Sequence, residues 1–294
     1  MAIGMHAATA EVIAYDDATK PIKIVYDTWT PRPHFIIVQR EQKKDATDTE
    51  LQATFEIVGQ FLSENRQFVD QAILSFHRGS WYQENTSKWH AHICVPLAPY
   101  LQQARNQIRN IPNNRQWQGA QSAEQGITNL HKKNMRKYQN YKNDCIQKPI
   151  PNSTPVESIA LSRFNPNTNE FRLVWLASTP RIGVVAQAPA QTKLASLYRF
   201  MSDTRVAMER ALSQVDPSFG NFGCHFCLYV RDQTDTFTTC RPDQILTANG
   251  EISVDPNIVG YIQMDENQYA QWLPSNVRQK WLGEFSRAEH FVRT

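Results

Sequence analysis

Residues 87–97 (SKWHAHICVPL) constrain the fold of this chain strongly, because polar and apolar side chains alternate along them. In a β-strand, alternate side chains point to the same face of the sheet. The two faces of this strand are His90, His92 and Cys94 on one side and Ala91, Ile93 and Val95 on the other. The pattern predicts a strand with an apolar core behind it and an imidazole-rich surface in front.

The rest of the first hundred residues predicts further strands around one helix. Four short, apolar, β-branched stretches are typical of strands: residues 11–15 (EVIAY), 22–26 (IKIVY), 34–40 (HFIIVQR) and 72–80 (AILSFHRGS). Between the third and the fourth, Thr47 and Glu50 have the spacing of a capping box. Apolar residues then follow at helical spacing, namely Leu51, Phe55, Val58 and Leu62. We expect one amphipathic helix there.

The order of these elements recurs later in the chain. Residues 101–155 are polar and predict a connector, with a helix over 100–109 and another through a basic segment. After the connector come four strand patterns, at 170–178, 181–187, 222–232 and 259–273. A helix is predicted at 193–212, between the second and third of these strands, and a last helix at 275–287. A long insertion follows residue 232. We expect a domain over 1–100 and a degenerate second copy over 156–294.

A local alignment supports this repeat. Matching Tyr100 with Tyr269 sets Val259, Tyr261 and Gln263 against the two histidines and the cysteine of the first copy. The second copy therefore lacks the histidines. In residues 222–232, Cys224 and Cys227 fall on opposite faces of a strand, which favours core packing over a metal or redox motif.

Composition limits the compartment and the class of protein. A mean hydropathy of −0.53 and a 41% hydrophobic fraction fit a globular protein. The five cysteines are odd in number and scattered, which predicts reduced thiols. No apolar run is long enough to span a bilayer, and the start lacks a basic leader with an apolar core. We expect a cytoplasmic or nuclear protein that has no membrane partner.

One basic segment, residues 131–148, raises the question of nucleic acid. It contains two tyrosines and the cations Lys132, Lys133, Arg136 and Lys137. Such a cluster can follow a phosphate backbone, but most charge runs are solvated surfaces. Both interpretations stay open, since the net charge of the whole chain is only +3.

Two histidines near a serine and a glycine turn suit three kinds of chemistry. A neutral imidazole can attack phosphorus while nearby donors hold the phosphate oxygens. His90, His92 and Cys94 could also be metal ligands, although a closed zinc site needs a fourth ligand. Finally, the imidazoles could belong to a hydrogen-bonded polar core. The residues alone leave these alternatives open.

Over residues 11–100 the sequence resembles the histidine triad (HIT) superfamily. The shared features, in the same order, are a hairpin, the strand PHFIIVQR, a helix, a strand leading into HRGS, and a serine three residues before His-x-His. The family signature continues with a third histidine, which is Cys94 here. The resemblance implies an α+β fold with an antiparallel sheet and packed helices, duplicated within the chain as a pseudo-dimer.

The resemblance also implies residue roles. His92 would be the nucleophile of a nucleotide hydrolase or nucleotidyltransferase, His90 would orient it, and Ser87 would donate to the phosphate or the leaving group. Substrate-binding positions would be His77, Gly79 and Cys94. No metal and no cofactor is expected.

Two departures from the family pattern bear on activity. The thiol of Cys94 is a weaker hydrogen-bond donor than an imidazole, and loss of such a donor costs on the order of 100- to 1000-fold in rate elsewhere. His77 stands where the family usually has asparagine. We therefore keep two hypotheses: an enzyme acting on a nucleotide or dinucleotide, and a catalytically weak module that binds nucleotide, RNA or a protein partner, with a homodimer also open.

Overall fold

The computed structural model contains a ten-stranded antiparallel sheet. It describes residues 12–27, 32–41, 43, 46–69, 71–79, 88–105, 107, 122, 124–133, 169–176, 182–215, 223–230, 240–246 and 252–264, a few of them by their backbone alone. The strands are β1 Ile13–Tyr15, β2 Ile22–Tyr26, β3 His34–Gln39, β4 Ile73–Gly79, β5 His90–Cys94, β6 Phe171–Leu176, β7 Ile182–Ala186, β8 Gly223–Tyr229, β9 Arg241–Leu246 and β10 Ile252–Met264. The described helices are α1 Asp48–Glu64, α2 Leu97–Ala104, α3 over residues 124–133, and α4 Leu194–Val215. The α+β class expected from the sequence is confirmed.

The strand order across the sheet is β1-β2-β3-β5-β4-β8-β10-β7-β6-β9. Strands from the first hundred residues form one half, and strands from after residue 170 form the other. The halves meet where β4 pairs with β8, from Ile73 opposite Tyr229 to Gly79 opposite Gly223. A single hydrogen-bonded sheet therefore runs through both parts of the chain.

The two halves have the same internal order, reflected about the β4–β8 pair. From the outside inwards, β2-β3-β5-β4 corresponds to β6-β7-β10-β8. Within this order, His92 lies between Ile36 of β3 and Ser75 of β4. Tyr261 lies between Gly183 of β7 and Cys227 of β8. His92 and Tyr261 thus occupy equivalent register positions, as the sequence alignment of the two halves places them.

The helices cover one face of the sheet. The capping box that starts α1 is present: the Thr47 hydroxyl oxygen accepts from the Glu50 N–H at 3.2 Å, and the Glu50 carboxylate accepts from the Thr47 N–H at 2.8 Å. The apolar residues predicted at helical spacing, Leu51, Phe55, Val58 and Leu62, are all buried. They pack with the alternate strand residues that include Phe35, Ile37, Ala91 and Ile93. This helix face is the main core.

A second, smaller apolar cluster lies on the opposite face, and no described helix contributes to it. Its members are Ile73, Cys94, Val174, Leu176, Val185, Cys227, Tyr229, Ile245, Ile258 and Tyr261. The strands β9 and β10 pair with each other, and β9 also pairs with β6, so that this end of the sheet closes on itself. The guanidinium of Arg241 lies 4.3 Å from the ring centre of Tyr229, and Arg172 pairs with Asp255. The β9–β10 hairpin is thereby attached to the rest of the sheet.

Some elements differ from the sequence-based prediction. The insertion after residue 232 contains β9 and the first half of β10, which the pattern did not indicate. Helix α2 begins at Leu97, earlier than expected, because a proline in the first turn, here Pro99, costs no intrahelical hydrogen bond. The helix predicted over 275–287 lies outside the described residues. Among the described helices, none is both long and apolar enough to cross a membrane.

Candidate functional site

Strand β5 positions the two candidate histidines through its alternation. Ala91 and Ile93 are fully buried in the helix-face core, which sends His90, His92 and Cys94 to the opposite face, as predicted. We call this opposite face the histidine face, defined by those three residues and by His34 of β3. His92 is 6% exposed, whereas His90 is only partly buried.

Three imidazoles lie side by side on the histidine face. The ring centres of His34 and His92 are 4.8 Å apart with an angle of 38° between their planes. The ring centres of His92 and His90 are also 4.8 Å apart, at 85°. His34 comes from the neighbouring strand, where it pairs with Cys94. The central residue of this row is His92, the predicted nucleophile.

A buried carboxylate ends the row. The Nε2 atom of His34 lies 2.5 Å from Oδ2 of Asp27, and both side chains are almost inaccessible to solvent. A carboxylate removed from water is stable only when it is paired and hydrogen-bonded. Because an ionised carboxylate can only accept, His34 donates its Nε2 proton to Asp27. The order of groups is therefore Asp27, His34, His92, His90.

The other end of the row is fixed by the backbone. The Nδ1 atom of His90 lies 3.2 Å from the carbonyl oxygen of Lys88. A carbonyl oxygen only accepts, so Nδ1 of His90 carries the proton in this contact, and its Nε2 is then an acceptor when the ring is neutral. Both outer imidazoles of the row have one defined hydrogen-bond partner, while the central ring lies between them.

The negative charge of Asp27 also acts on a phenol of helix α2. Tyr100 is fully buried, and burial raises the pKa of its hydroxyl far above the usual range, with the Asp27 carboxylate and Tyr26 adding to the rise. The neutral phenol packs edge-on against Phe35 with ring centres 5.3 Å apart. No hydrogen-bond partner of the Tyr100 hydroxyl is found among the described residues.

Two neighbours of His92 on the histidine face are fully buried. Cys94, predicted to contact substrate, is 0% exposed and belongs to the smaller apolar cluster. Ser75, directly across from His92 on β4, is also 0% exposed. Its hydroxyl oxygen accepts a weak hydrogen bond from the Cys227 thiol at 3.8 Å. The half of His92 that faces β4 is thus in contact with protein.

The remaining predicted site residues are placed only in part. His77 and Gly79 end β4 opposite His225 and Gly223, and their backbones alone are described. Ser87 lies outside the described residues, as do Arg136 and Lys137. Lys132 and Lys133 are exposed in the last described turn of α3. Among the residues with described side chains, no group of three or more His, Cys, Asp or Glu is arranged to hold a metal ion.

Sequence reasoning missed Asp27 and His34. A partial signal exists: in the run HFIIVQ, the buried Phe35 and Ile37 face the helices, so His34 must share the other face with its alternate residues. The sequence does not show that β3 pairs with β5, because a helix and another strand lie between them along the chain. That pairing brings His34 to His92.

Comparison with known proteins identifies no relative. No protein-family model, no curated protein and no solved structure matches this chain. The site must therefore be interpreted from its own chemistry.

Proposed function

We propose that this protein is a tandem member of the HIT superfamily that cleaves or transfers a nucleotide at a phosphate bond, with His92 as the nucleophile. The observation that carries the proposal is the row of three imidazoles centred on His92 and ended by Asp27. Imidazoles arranged in this way can provide a nucleophilic nitrogen and hydrogen-bond donors to a phosphoryl group. The reduced cysteines Cys94, Cys227 and Cys240 fit an activity in the cytoplasm or nucleus.

The proposed reaction has two steps. A ring nitrogen of His92 bonds to the phosphorus of the nucleotide, the bond to the leaving group breaks, and Ser87 or a water supplies the proton that the leaving group takes. Water then attacks the same phosphorus and gives a proton to the group that protonated the leaving group, the nitrogen–phosphorus bond breaks, and the nucleoside monophosphate leaves. Transfer to another phosphate in place of water gives the nucleotidyltransferase reaction. The partly exposed His90 orients His92 in both steps.

The strand order supports the tandem arrangement. A sheet whose halves read β2-β3-β5-β4 and β6-β7-β10-β8 has the form of a dimer built within one chain. In that arrangement Tyr261 holds the position of His92, and a phenol that is neutral near pH 7 is a poor nucleophile toward phosphorus. The proposal therefore assigns one site to the chain, with the second half shaping and stabilising it.

A second function is favoured by the burial of the site. His92 is 6% exposed and Cys94 is 0% exposed, which suits a polar core better than a site that opens to substrate. On this alternative, the protein is a HIT-like module without turnover, and the nucleotide, RNA end or protein partner that it binds contacts surfaces other than these buried side chains. The exposed Lys132 and Lys133 would contribute to RNA affinity.

The deciding experiment is a turnover assay on the full chain against an adenosine phosphoramidate, diadenosine polyphosphates and a cap dinucleotide. The variants are His92→Asn and, as matched control, Tyr261→Phe, which alters a buried residue at the equivalent register position. We expect His92→Asn to abolish turnover and Tyr261→Phe to retain it, with both variants melting cooperatively. Equal turnover in wild type and His92→Asn would contradict the enzymatic proposal.

RNA binding is tested separately by its salt dependence. The affinity for single-stranded RNA falls with salt, and each phosphate contact that is removed reduces the magnitude of the slope of log affinity against log salt by about 0.7. A double variant with Lys132→Gln and Lys133→Gln should therefore lose about 1.4 from that slope, while Lys193→Gln, at another exposed lysine, should not change it. A slope that is the same in all three proteins excludes phosphate contacts at Lys132 and Lys133.

A further inference from the structure

A row of directly paired side chains crosses the middle of the sheet on the histidine face. Ser75 of β4 lies opposite His92 of β5 on one side and opposite Cys227 of β8 on the other. Cys227 in turn lies opposite Tyr261 of β10. We call these four residues the central row, and all four are buried. The central row therefore connects the predicted nucleophile with the second half of the chain through buried polar side chains.

The outer imidazoles contact the ring of His92 in a geometry that does not suit a hydrogen bond in the plane of the ring. A linear N–H···N hydrogen bond between two imidazoles separates their ring centres by more than about 5 Å. The ring centres of His34 and His90 both lie 4.8 Å from that of His92, with angles of 38° and 85° between the planes. These ring contacts restrict the plane of the His92 ring, but they do not determine which of its nitrogens carries the proton.

The position of that proton matters for a nucleophile. A neutral imidazole attacks with the nitrogen that carries no proton, so the other nitrogen must keep its proton, and an acceptor holds it there. Ser75 brings such an acceptor to His92 from β4. The Cβ atoms of directly paired residues on one face lie about 5 Å apart, a span within which a serine oxygen can face an imidazole N–H. Ile73, the next residue of β4 on this face, has an apolar side chain.

We propose that Ser75 is a positioning residue of the site: its hydroxyl oxygen accepts the N–H of His92 and so keeps the opposite ring nitrogen available for attack on phosphorus. The inference rests on the proposed function for the role of His92, but its structural part is measured without turnover. Cys227 supports Ser75 from the second half, because its thiol lies 3.8 Å from the Ser75 oxygen and donates to it. A serine oxygen has two lone pairs, so it accepts from both neighbours.

The two residues at the centre of the row carry groups that suit these different roles. A hydroxyl oxygen is a good hydrogen-bond acceptor, whereas a thiol sulfur is a weak one. The hydroxyl of Ser75 lies beside the imidazole of His92, and the thiol of Cys227 lies beside the phenol of Tyr261. The better acceptor is thus next to the ring whose proton must be held.

Nitrogen-15 NMR of the histidine rings, recorded on the full chain at a pH where they are neutral, tests the inference. The His92 signals are those that disappear in His92→Asn. We expect wild-type His92 to populate one tautomer and Ser75→Ala to give a mixture of two. The control is Ile73→Val, which removes one methyl group from the same face of β4 and should keep the single tautomer. A mixture in the wild type, or an unchanged single tautomer in Ser75→Ala, overturns the inference.

Two variants of Cys227 separate the hydrogen bond of its thiol from its packing. Cys227→Ser keeps a donor at the same place and should preserve the single His92 tautomer. Cys227→Ala removes the donor and should give a mixture, with a smaller share of the second tautomer than Ser75→Ala gives. The same mixture in Cys227→Ser and Cys227→Ala would overturn the role that we assign to the thiol.

Kinetics supply a second measurement. Loss of a group that holds the proton of a catalytic imidazole should lower kcat by between about tenfold and about 10⁴-fold with little change in KM, while Ile73→Val keeps kcat. Unchanged kcat in Ser75→Ala would overturn its role in the reaction. If the wild type turns over no substrate, the proposed enzymatic function fails, and the NMR result alone still decides whether Ser75 positions His92.

Discussion

Replacement of Gly260 by alanine tests whether β8 and β10 are packed as closely as the register requires. Gly260 is buried in β10, opposite Leu228 of β8. A Cβ atom built on it would lie 2.3 Å from the carbonyl oxygen of Cys227 and 2.8 Å from Cδ2 of Leu228. The first contact is about 0.7 Å inside the 3.0 Å that real Cβ atoms keep, and it is made with backbone. Alanine is therefore accommodated only if β8 moves away from β10.

Gly183 of β7 provides a matched comparison in the same half of the sheet. A Cβ atom there would meet Cδ2 of Leu176 at 2.7 Å and Cγ2 of Val174 at 3.0 Å, which are ends of side chains that can rotate. We expect Gly183→Ala to lower the free energy of unfolding by about 1 kcal/mol and Gly260→Ala by about 3 kcal/mol or more. With an unfolding entropy of about 2.1 cal/mol/K per residue over 294 residues, that difference of about 2 kcal/mol corresponds to a Tm gap of about 3 °C.

Thermal unfolding followed by circular dichroism, with urea titration as a second measurement, gives both values. Strand β8, one of the two disturbed strands, also pairs with β4, so the loss of secondary structure in Gly260→Ala should remain a single transition. The reasoning is refuted if Gly260→Ala is as stable as wild type, or if Gly183→Ala is the more destabilised of the two.

Three further predictions concern the helices. Tyr100→Phe removes a buried hydroxyl without a partner among the described residues, so urea titration should show a free energy of unfolding that is unchanged or higher by up to about 1 kcal/mol. A decrease in the free energy of unfolding would instead reveal a partner of the hydroxyl. Thr47→Ala should cost about 0.5 to 2 kcal/mol through loss of the cap, and Thr47→Ser, which keeps the hydroxyl, should restore most of it. Burial lowers the pKa of His131, so the unfolded state binds its proton first as the pH falls below about 6.5; His131→Gln should remove part of the acid destabilisation seen in wild type, and identical pH profiles would contradict this.

Much of the first half could be predicted from the sequence because its signals are local. Alternation along β5 correctly assigns His90, His92 and Cys94 to one face, and the Thr47–Glu50 spacing correctly starts α1. Both depend on residues within a few positions of each other. The same holds for the order of strands and helices, from which the α+β class follows.

What the sequence could not provide depends on contacts between distant segments. The site includes His34 only because β3 pairs with β5, and no local pattern states that register. Strand β9 (RPDQIL) was missed because a proline and an aspartate interrupt its alternation, and its stability comes from pairing with β10 and β6. The roles of Ser87 and of the helix over 275–287 remain predictions.

The central β4–β8 pair has a consequence for biosynthesis. The ribosome completes Gly79 of β4 144 residues before it reaches Gly223 of β8. At about 5 to 20 residues per second, the first half waits roughly 7 to 30 s with one edge of β4 unpaired. An exposed strand edge is a template for pairing with other chains. Nascent copies on neighbouring ribosomes are therefore exposed to mutual association during this interval, and a chaperone that shields β4 should increase the yield of folded protein.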